Sequence, residues 1–240
     1  MKISLVMPLF NEEELIQGYI RSIRHEIEES QLEIIIVNDN STDNSQRALR
    51  RMESDGLIDL LILNKRNLGH GPSVLRGVKE ALSRNPELIV TVDSDGQISG
   101  ESLSKFIEFA RASSASIVEG VRMRENEPGY RRIVSFLTRI LVLSKTGRFP
   151  RDANTPLRSY RYSTILELLD KLPPNSLVPN LKLSIISRNR NVILEEFPVL
   201  SQERGGKSVV GTTWKSTKRS IPSRKFIKFC LKASLEILRT

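Results

Sequence analysis

The stretch "VTVDSDGQ" (residues 90–97) combines the pattern of a buried strand with two closely spaced acidic residues. It begins with three β-branched residues, which favour a buried strand. The strand ends in Asp93 and Asp95, two carboxylates separated by a single residue. Because an unpaired charge is costly to bury, we expect a cation to meet these carboxylates where the strand emerges.

Apolar runs alternate with helical patterns through the first half of the chain. The predicted strands are 3–8, 32–37, 57–63 and 87–92, and the predicted helices cover about 11–29, with Asn11 as cap, 43–54, 72–83 and a segment that begins near 102. Continuous apolar strands separated by helices indicate a parallel sheet covered on both faces. The sequence therefore predicts an α/β fold.

The second half of the chain is less regular. A strand is predicted at 116–121, a helix at 130–144, a pair of helices through 162–187 and a strand at 192–199. No linker interrupts the pattern, so we expect one domain over 1–220. Residues 221–240 are predicted to form a basic amphipathic helix, which could lie in a membrane interface or dock on the protein itself or on a second subunit.

The amino-acid composition limits the classes of molecule that this protein is expected to bind. The net charge of +9 favours an anionic partner, but the aromatic content of 5% and the acidic strand ends argue against nucleic acid. Cys230, the single cysteine, excludes an intrachain disulfide. With neither a signal peptide nor an apolar run of about 20 residues, we expect a cytoplasmic protein, soluble or peripheral at the membrane. The oligomeric state stays open.

The polar residues after the predicted strands gather into one place, because ligands of open α/β sheets bind at the carboxyl ends of the strands. Carboxylates, an amide and a bound diphosphate would suit Mg²⁺ or Mn²⁺. The predicted metal ligands are Asp95, Asp93 and Gln97. The alternative is that Asp93 and Asp95 only cap the next helix and shape a turn.

Several motifs, in this order and spacing, resemble family 2 glycosyltransferases with the GT-A fold. They are "MPLFNEEE" (7–14), "IIIVNDNSTDNS" (34–45), "NLGHGPSVLRGVKEA" (67–81) and "VTVDSDGQ". Three later segments resemble dolichyl-phosphate mannose synthases and related polyprenyl-phosphate glycosyltransferases: "RDANTPLRSYRYSTI" (151–165), "VILEEFPV" (192–199) and "RGGKS" (204–208). One position departs from the family pattern: two adjacent aspartates usually follow the second strand, and here Asn38 replaces the first, while Asp39 is retained.

The resemblance implies a Rossmann-like, mostly parallel sheet flanked by helices, with a nucleotide-sugar half (1–122) and a less regular acceptor half (123–220). It also implies a donor site lined by Pro8, Phe10, Glu12, Val37, Asp39, Asp93, Ser94, Asp95 and Arg122. Phe10 and Val37 have an equally simple interpretation as packing residues. Arg131, Arg132 and Arg158 are further basic candidates, unless they are solvated or paired with Asp152.

The loop "QERGGKS" (202–208) is the second sign of an anionic ligand. Its glycines let the backbone approach a phosphate while Arg204 and Lys207 reach it. The alternative is an ordinary surface loop. We expect both cations to bind the donor and to act in catalysis.

These features predict an inverting transfer of a sugar from a nucleotide-diphosphate sugar to a polyprenyl phosphate. Such an acceptor needs no base, because the second pKa of a phosphate monoester lies near 6. A hydroxyl acceptor would need one; Asp152 is then the candidate and His70 a weaker one. An inactive nucleotide-sugar-binding module is a third possibility. A dinucleotide-dependent oxidoreductase is disfavoured, because "G-x-G-x-x-G" is absent after the first strand.

Overall fold

A computed structural model describes residues 2–27, 32–123, 129–190, 192–202, 228, 230, 232–233 and 236–237. The first half contains β1 (Ile3–Leu9), α1 (Glu13–Glu26), β2 (Leu32–Asn38), α2 (Ser45–Ser54), β3 (Leu60–Leu63), α3 (His70–Ser83), β4 (Leu88–Thr91) and α4 (Gly100–Ala112). The second half contains β5 (Ile117–Met123), α5 (Gly129–Thr146), β6 (Arg158–Arg161), α6 (Tyr162–Leu169), α7 (Pro179–Asn189) and β7 (Leu194–Leu200).

The described strands form one seven-stranded sheet in the order β3-β2-β1-β4-β6-β5-β7. Of these strands β6 alone is antiparallel to its neighbours, β4 and β5. The other strand pairs are parallel, so β1, β2, β3, β4, β5 and β7 all end at the same edge. The predicted α/β fold is confirmed, and strands from both halves of the chain share the sheet.

Helices cover both faces of the sheet, which explains why its central strands are apolar throughout. Successive side chains of a strand point to opposite faces. In β1, Leu5 and Met7 pack with Ile16 and Ile20 of α1 and with α4 on one face. On the other face, their neighbour Val6 packs with apolar residues of α3.

The first helix begins at Glu13, and the prediction that Asn11 caps it is wrong. Asn11 lies in the left-handed region with φ of 56°. Its side-chain carbonyl accepts a hydrogen bond from the backbone N–H of Thr42 at 2.8 Å. The asparagine therefore links the β1–α1 loop to the β2–α2 loop instead of closing the helix.

A network of buried charges joins three elements of the second half. Glu119 of β5 lies opposite Arg158 of β6 in the sheet, 3.0 Å from its guanidinium, and both side chains are fully buried. Arg188 of α7 donates to the other Glu119 oxygen at 2.7 Å and also meets Glu196 of β7 at 3.4 Å. Arg158 is therefore neither solvated nor paired with Asp152, as the sequence had left open.

The described residues near the C-terminus pack on the protein's own body. Ala233 and Ile237 are buried in a cluster with Val142 of α5 and Val178, Leu181 and Ile185 around α7. Glu236 accepts hydrogen bonds from the hydroxyl of Ser176 at 2.5 Å and the N–H of Leu177 at 3.0 Å. These described residues are therefore docked on the protein itself.

None of the helices in the described part of the chain is long and apolar enough to cross a bilayer.

Candidate active site

The site lies where β1 and β4 separate at the carboxyl edge of the sheet. The chain leaves β1 toward β2 on one side, and β4 pairs with β1 on the other. Such a switch in strand order opens a crevice in α/β sheets. The buried hydroxyl of Ser94 donates to the carbonyl of Pro8 at 2.9 Å and ties the two strand ends together.

Two partly exposed carboxylates follow β4. Oδ1 of Asp95 accepts the backbone N–H of Gln97 at 3.1 Å, across a turn in which Gly96 has φ of 70°. Asp93 Oδ1 lies 2.7 Å from Nε2 of His70, the first residue of α3. The tight turn thus keeps both carboxylates at the mouth of the crevice.

The pKa values of neighbouring groups reveal the negative field around this turn. Desolvation lowers the pKa of His70, but the charge of Asp93 and its hydrogen bond, helped by Asp95 and Asp39, outweigh it and raise the pKa overall. The pKa of the Tyr19 phenol in α1 is raised by burial first and by Asp95 and Asp93 second. A cation at the crevice would relieve this field.

Arg122, at the end of β5, is held by Asp152. Its Nε and Nη2 donate to the two Asp152 carboxylate oxygens at 2.7 and 3.0 Å, and Nη2 also donates to the carbonyl of Asn154. Desolvation lowers the pKa of Arg122, but attraction to Asp152 and, more weakly, to Asp93 and Asp95 raises it overall. The pair therefore lies within electrostatic reach of the acidic turn.

The basic loop starts beside the same turn. The backbone N–H of Gln202 donates to the carbonyl of Gln97 at 2.8 Å, and the Gln97 side chain reaches the carbonyl of Gln202 at 3.5 Å. Arg204 and Lys207 lie outside the described residues, two and five positions further along the chain.

Asp39 organises the loop between β3 and α3. It is buried, and its Oδ1 accepts from the N–H of Leu68 and from the amide of Asn64, both at 2.8 Å. Its Oδ2 accepts the N–H of Gly69 at 2.8 Å. Gly69 has φ of 93° and precedes His70, so Asp39 fixes the turn that delivers His70 to Asp93.

Asn38, the position that departs from the family pattern, is turned into its own loop. Its Oδ1 accepts the N–H of Ser41 at 3.0 Å and the hydroxyl at 2.7 Å. The same hydroxyl accepts the N–H of Asn11 at 3.0 Å. Asn38 therefore contributes to the shape of the crevice through the loop it holds.

The remaining residues of the predicted donor site lie near the ends of β1 and β2 and differ in how deeply they are buried. Pro8 and Val37 lie side by side in neighbouring strands and are buried. Val37 would touch a Cβ placed on Gly77 of α3, which agrees with its interpretation as a packing residue. Phe10 is half-buried, and Glu12 is buried with its N–H on the hydroxyl of Ser45.

The carboxylate oxygens at the acidic turn are suitable ligands for a hard divalent ion. Among the described residues no three His, Cys, Asp or Glu side chains are grouped as a metal site. Mg²⁺ is commonly held by only one or two carboxylates together with substrate phosphates. Asp95 and Asp93 supply two carboxylates of this kind, and a nucleotide diphosphate would supply the other oxygens.

Comparison with known proteins agrees with this arrangement. Residues 4–171 match the sequence pattern of the family described as glycosyl transferase family 2. The chain belongs to glycosyl transferase family 2. The matched residues of this family 2 chain include β1 from its second residue onward, the strands β2 to β6 and the acidic turn.

Individual relatives extend the comparison. Over 185 residues this family 2 chain is 30% identical to an undecaprenyl-phosphate 4-deoxy-4-formamido-L-arabinose transferase of Proteus mirabilis, with 74% of the chain and 54% of that protein covered. It is 24% identical to a UDP-N-acetylglucosamine–dolichyl-phosphate N-acetylglucosaminyltransferase of Methanococcus voltae, covering 87% of the chain and 91% of the relative. The chain thus spans about half the length of the first relative and most of the second.

A solved structure shares the fold. Glucosyl-3-phosphoglycerate synthase of Mycobacterium tuberculosis, in complex with Mn²⁺, uridine diphosphate and glucosyl-3-phosphoglycerate, aligns with a TM-score of 0.62 at 18% identity. The alignment covers 86% of this chain and 72% of the synthase. At this identity the likeness shows the fold, which is the GT-A type.

Sequence reasoning missed Tyr19, whose phenol is affected by the charge of the acidic turn, and it missed the contact of His70 with Asp93. Tyr19 reads as one more apolar position of α1, and nothing in its spacing distinguishes it. His70 is visible in "NLGHG" as a loop residue, but its contact with Asp93 depends on the register between α3 and β4. The nearest available signal was a histidine directly after the Gly69 turn.

Proposed function

We propose that this protein transfers a sugar from a nucleotide-diphosphate sugar to a polyprenyl phosphate, with inversion at the sugar carbon. The observation that carries the proposal is the 2.8 Å hydrogen bond between Gln202 and Gln97. It attaches the start of the basic loop to the acidic turn, so a cation-bound donor and a phosphate acceptor can meet there. The names of the polyprenyl-phosphate relatives support the same acceptor class.

The donor half of the proposal rests on the acidic turn. Asp95 and Asp93 would hold Mg²⁺ or Mn²⁺ at the diphosphate, with Gln97 nearby. When bound, the divalent ion stabilises the negative charge that develops on the leaving diphosphate. His70 orients Asp93 through Oδ1, and Asp39 fixes the loop that carries His70. Glu12, Phe10 and the loop around Asn38 would enclose the nucleoside.

The part of the proposal that concerns the acceptor depends on cationic side chains. Arg122 lies at the end of β5 with its guanidinium fixed by Asp152. Both carboxylate oxygens of Asp152 accept from Arg122, which suits a positioning role better than proton abstraction. Arg204 and Lys207 would add charge for the acceptor phosphate or the leaving diphosphate. An anionic phosphate can then attack from the face opposite the departing diphosphate without a protein base.

The proposal also places the protein at the cytoplasmic face of a membrane, where polyprenyl phosphates would be met. The net charge of +9 supports attraction to an anionic surface.

The acceptor class is tested with two groups of variants. On a short-chain polyprenyl phosphate, Arg204→Ala and Lys207→Ala should each cost about 2–4 kcal/mol of transition-state stabilisation, as expected for losing a well-placed charged donor. Asp152→Asn should cost much less, and the pH–rate profile should lack an acidic limb set by a carboxylate.

The matched control is Lys171→Ala, which removes an exposed cation just after α6 and should leave the rate unchanged. If Asp152→Asn is as damaging as the loop variants and a sugar hydroxyl is the better acceptor, the enzyme transfers to hydroxyls. If purified protein with Mn²⁺ turns over no donor while binding nucleotide, it is a binding module.

A further inference from the structure

The backbone of the loop between α6 and α7 packs against the start of α3. A Cβ built on Gly71, the second residue of α3, would clash with the carbonyl oxygen of Ser176 and would lie 2.9 Å from that of Leu177. It would also lie 2.8 Å from Cδ of Pro179, the first residue of α7. Because backbone atoms cannot rotate aside as a flexible side chain can, this close packing determines where α3 begins.

The start of α3 carries His70, which contacts the acidic turn. His70 is the first residue of α3 and directly precedes Gly71. Its Nε2 lies 2.7 Å from Oδ1 of Asp93. A shift of the start of α3 would therefore change the distance between His70 and Asp93.

A carboxylate from the C-terminal end of the chain holds the same loop. Glu236 accepts hydrogen bonds from the hydroxyl of Ser176 at 2.5 Å and from the N–H of Leu177 at 3.0 Å, and these are the two residues whose carbonyl oxygens face Gly71. The buried ammonium group of Lys182 in α7 lies 3.3 Å from the Glu236 carboxylate. Since charge-assisted hydrogen bonds are stronger than neutral ones, Glu236 fixes the loop at the point where it meets α3.

Apolar packing keeps Glu236 in this position. The next residue, Ile237, is fully buried, and it belongs with Ala233 to a cluster that also contains Val178 of the loop and Leu181 of α7. Sixty positions of sequence separate Glu236 from Ser176. The contact is therefore a tertiary one, which forms only when the two parts of the chain have folded together.

We propose that Glu236 is a positioning residue of the active site: by holding residues 176–179 against Gly71, it sets the position of His70 relative to Asp93. This inference deepens the proposed function and rests on it for the reaction that is measured. Glu236 acts through the loop and the start of α3, and it needs no contact with the donor or the acceptor.

The first test measures the surroundings of His70 in the protein without metal or nucleotide. The chain contains two histidines, and the highly exposed His25 serves as an internal reference. In NMR spectra recorded at one fixed pH, Glu236→Ala should shift the imidazole signals of His70 and leave those of His25 unchanged. Ser176→Ala, which removes one of the hydrogen bonds to Glu236, should shift the His70 signals in the same direction by a smaller amount.

The second test measures sugar transfer to a short-chain polyprenyl phosphate. Glu236→Ala should lower kcat/KM about tenfold or more, because a small misplacement caused far from the chemistry can cost this much. Glu236→Gln should recover most of the rate, because its amide oxygen can still accept the N–H of Leu177. The matched control is Glu53→Ala, which removes a carboxylate that accepts the N–H of Leu61 in the edge strand β3 at 2.8 Å. It should leave both the rate and the His70 signals unchanged.

Unchanged His70 signals in Glu236→Ala would overturn the positioning role, and so would a loss of rate in Glu53→Ala as large as that in Glu236→Ala. If Glu236→Ala does not fold, Ser176→Ala decides: shifted His70 signals support the role and unshifted signals overturn it. If the His70 signals depend on Glu236 but the unaltered protein transfers no sugar to a polyprenyl phosphate, the positioning role stands and the proposed function fails.

Discussion

Asp95 and Asp93 have different partners at the same edge of the sheet. Asp93 shares an oxygen with His70 at 2.7 Å, whereas Oδ1 of Asp95 accepts a backbone N–H within its own turn at 3.1 Å. We propose Asp95 as the primary metal ligand, and His70 is the side chain that positions Asp93.

Replacing Asp95 should separate metal-dependent binding from folding. Asp95→Ala should lose about 2–4 kcal/mol of nucleotide-diphosphate affinity in the presence of Mn²⁺, with the melting temperature nearly unchanged because a partly exposed carboxylate at a strand end contributes little to core packing. Calorimetry with UDP and GDP, with and without Mn²⁺, measures this. Asp170→Ala, at the exposed end of α6, is the control. Metal-dependent affinity that survives in Asp95→Ala would contradict the assignment.

The strand-end residues could be predicted from sequence because strand polarity alone brings them to one edge. Asp39, Asp93 and Asp95 are placed by the simple rule that parallel strands end together. The partners of these residues could not be predicted. Whether Asp39 faces a ligand or the N–H groups of Leu68 and Gly69 depends on loop geometry. The hydrophobic pattern of the sequence carries no information about that geometry.

At the scale of elements, α3 packs unusually close to the sheet. A Cβ built on Gly77 would lie 2.4 Å from Cγ1 of Val6 and 2.9 Å from Cγ2 of Val37. Both valines are fully buried and cannot move aside. The close approach holds α3, and with it the His70 end of the helix, against β1 and β2.

Two glycine substitutions should therefore change stability in opposite directions. Gly77→Ala should lower the free energy of unfolding by about 1–3 kcal/mol through overpacking. Gly18→Ala, in α1 with nothing within 4 Å of the added Cβ, should raise it by about 0.5–1 kcal/mol. Urea unfolding of both variants checks the pair. A stabilised Gly77→Ala would show that α3 can shift without loss.

The elements themselves were largely predictable, with one instructive exception. Strands β1, β2 and β4 are apolar runs, and helices α1 and α3 keep a clear helical period. The strand β6 was missed because its sequence, "RSYR", is short and half cationic. Its place in the sheet depends on Arg158 meeting Glu119 across the strand pair, a contact between distant residues that no local pattern contains.

At the scale of the whole molecule, the buried charges bind the second half together. Arg158 and Arg188 face Glu119, and Glu196 completes the set. Two cations and two anions balance, so the network is tolerable in the interior only when all members are present. It links β5, β6, α7 and β7 behind the site.

Removing the negative charge of Glu119 should destabilise the fold, because Glu119 is the carboxylate at the centre of the buried network. Glu119→Gln should lower the free energy of unfolding by about 3–5 kcal/mol, because it leaves excess positive charge buried. Glu101→Gln, on the exposed Glu101–Lys105 pair of α4, should change little. Chemical denaturation followed by circular dichroism measures both. Equal stability of the two variants would mean that the arginines find other partners.

The order in which the members of this network are synthesised limits when the second half of the chain can complete its fold. Glu119 emerges from the ribosome first, Arg158 follows 39 positions later and Arg188 another 30 positions after that. Arg158 alone can balance Glu119, but the network of two cations and two anions is complete only when Glu196 has also been made. The nucleotide half can fold early, whereas the acceptor half cannot complete its buried charge network until Glu196 is present. We expect a nascent chain that stalls before Glu196 to leave the acceptor half exposed to chaperones and proteases.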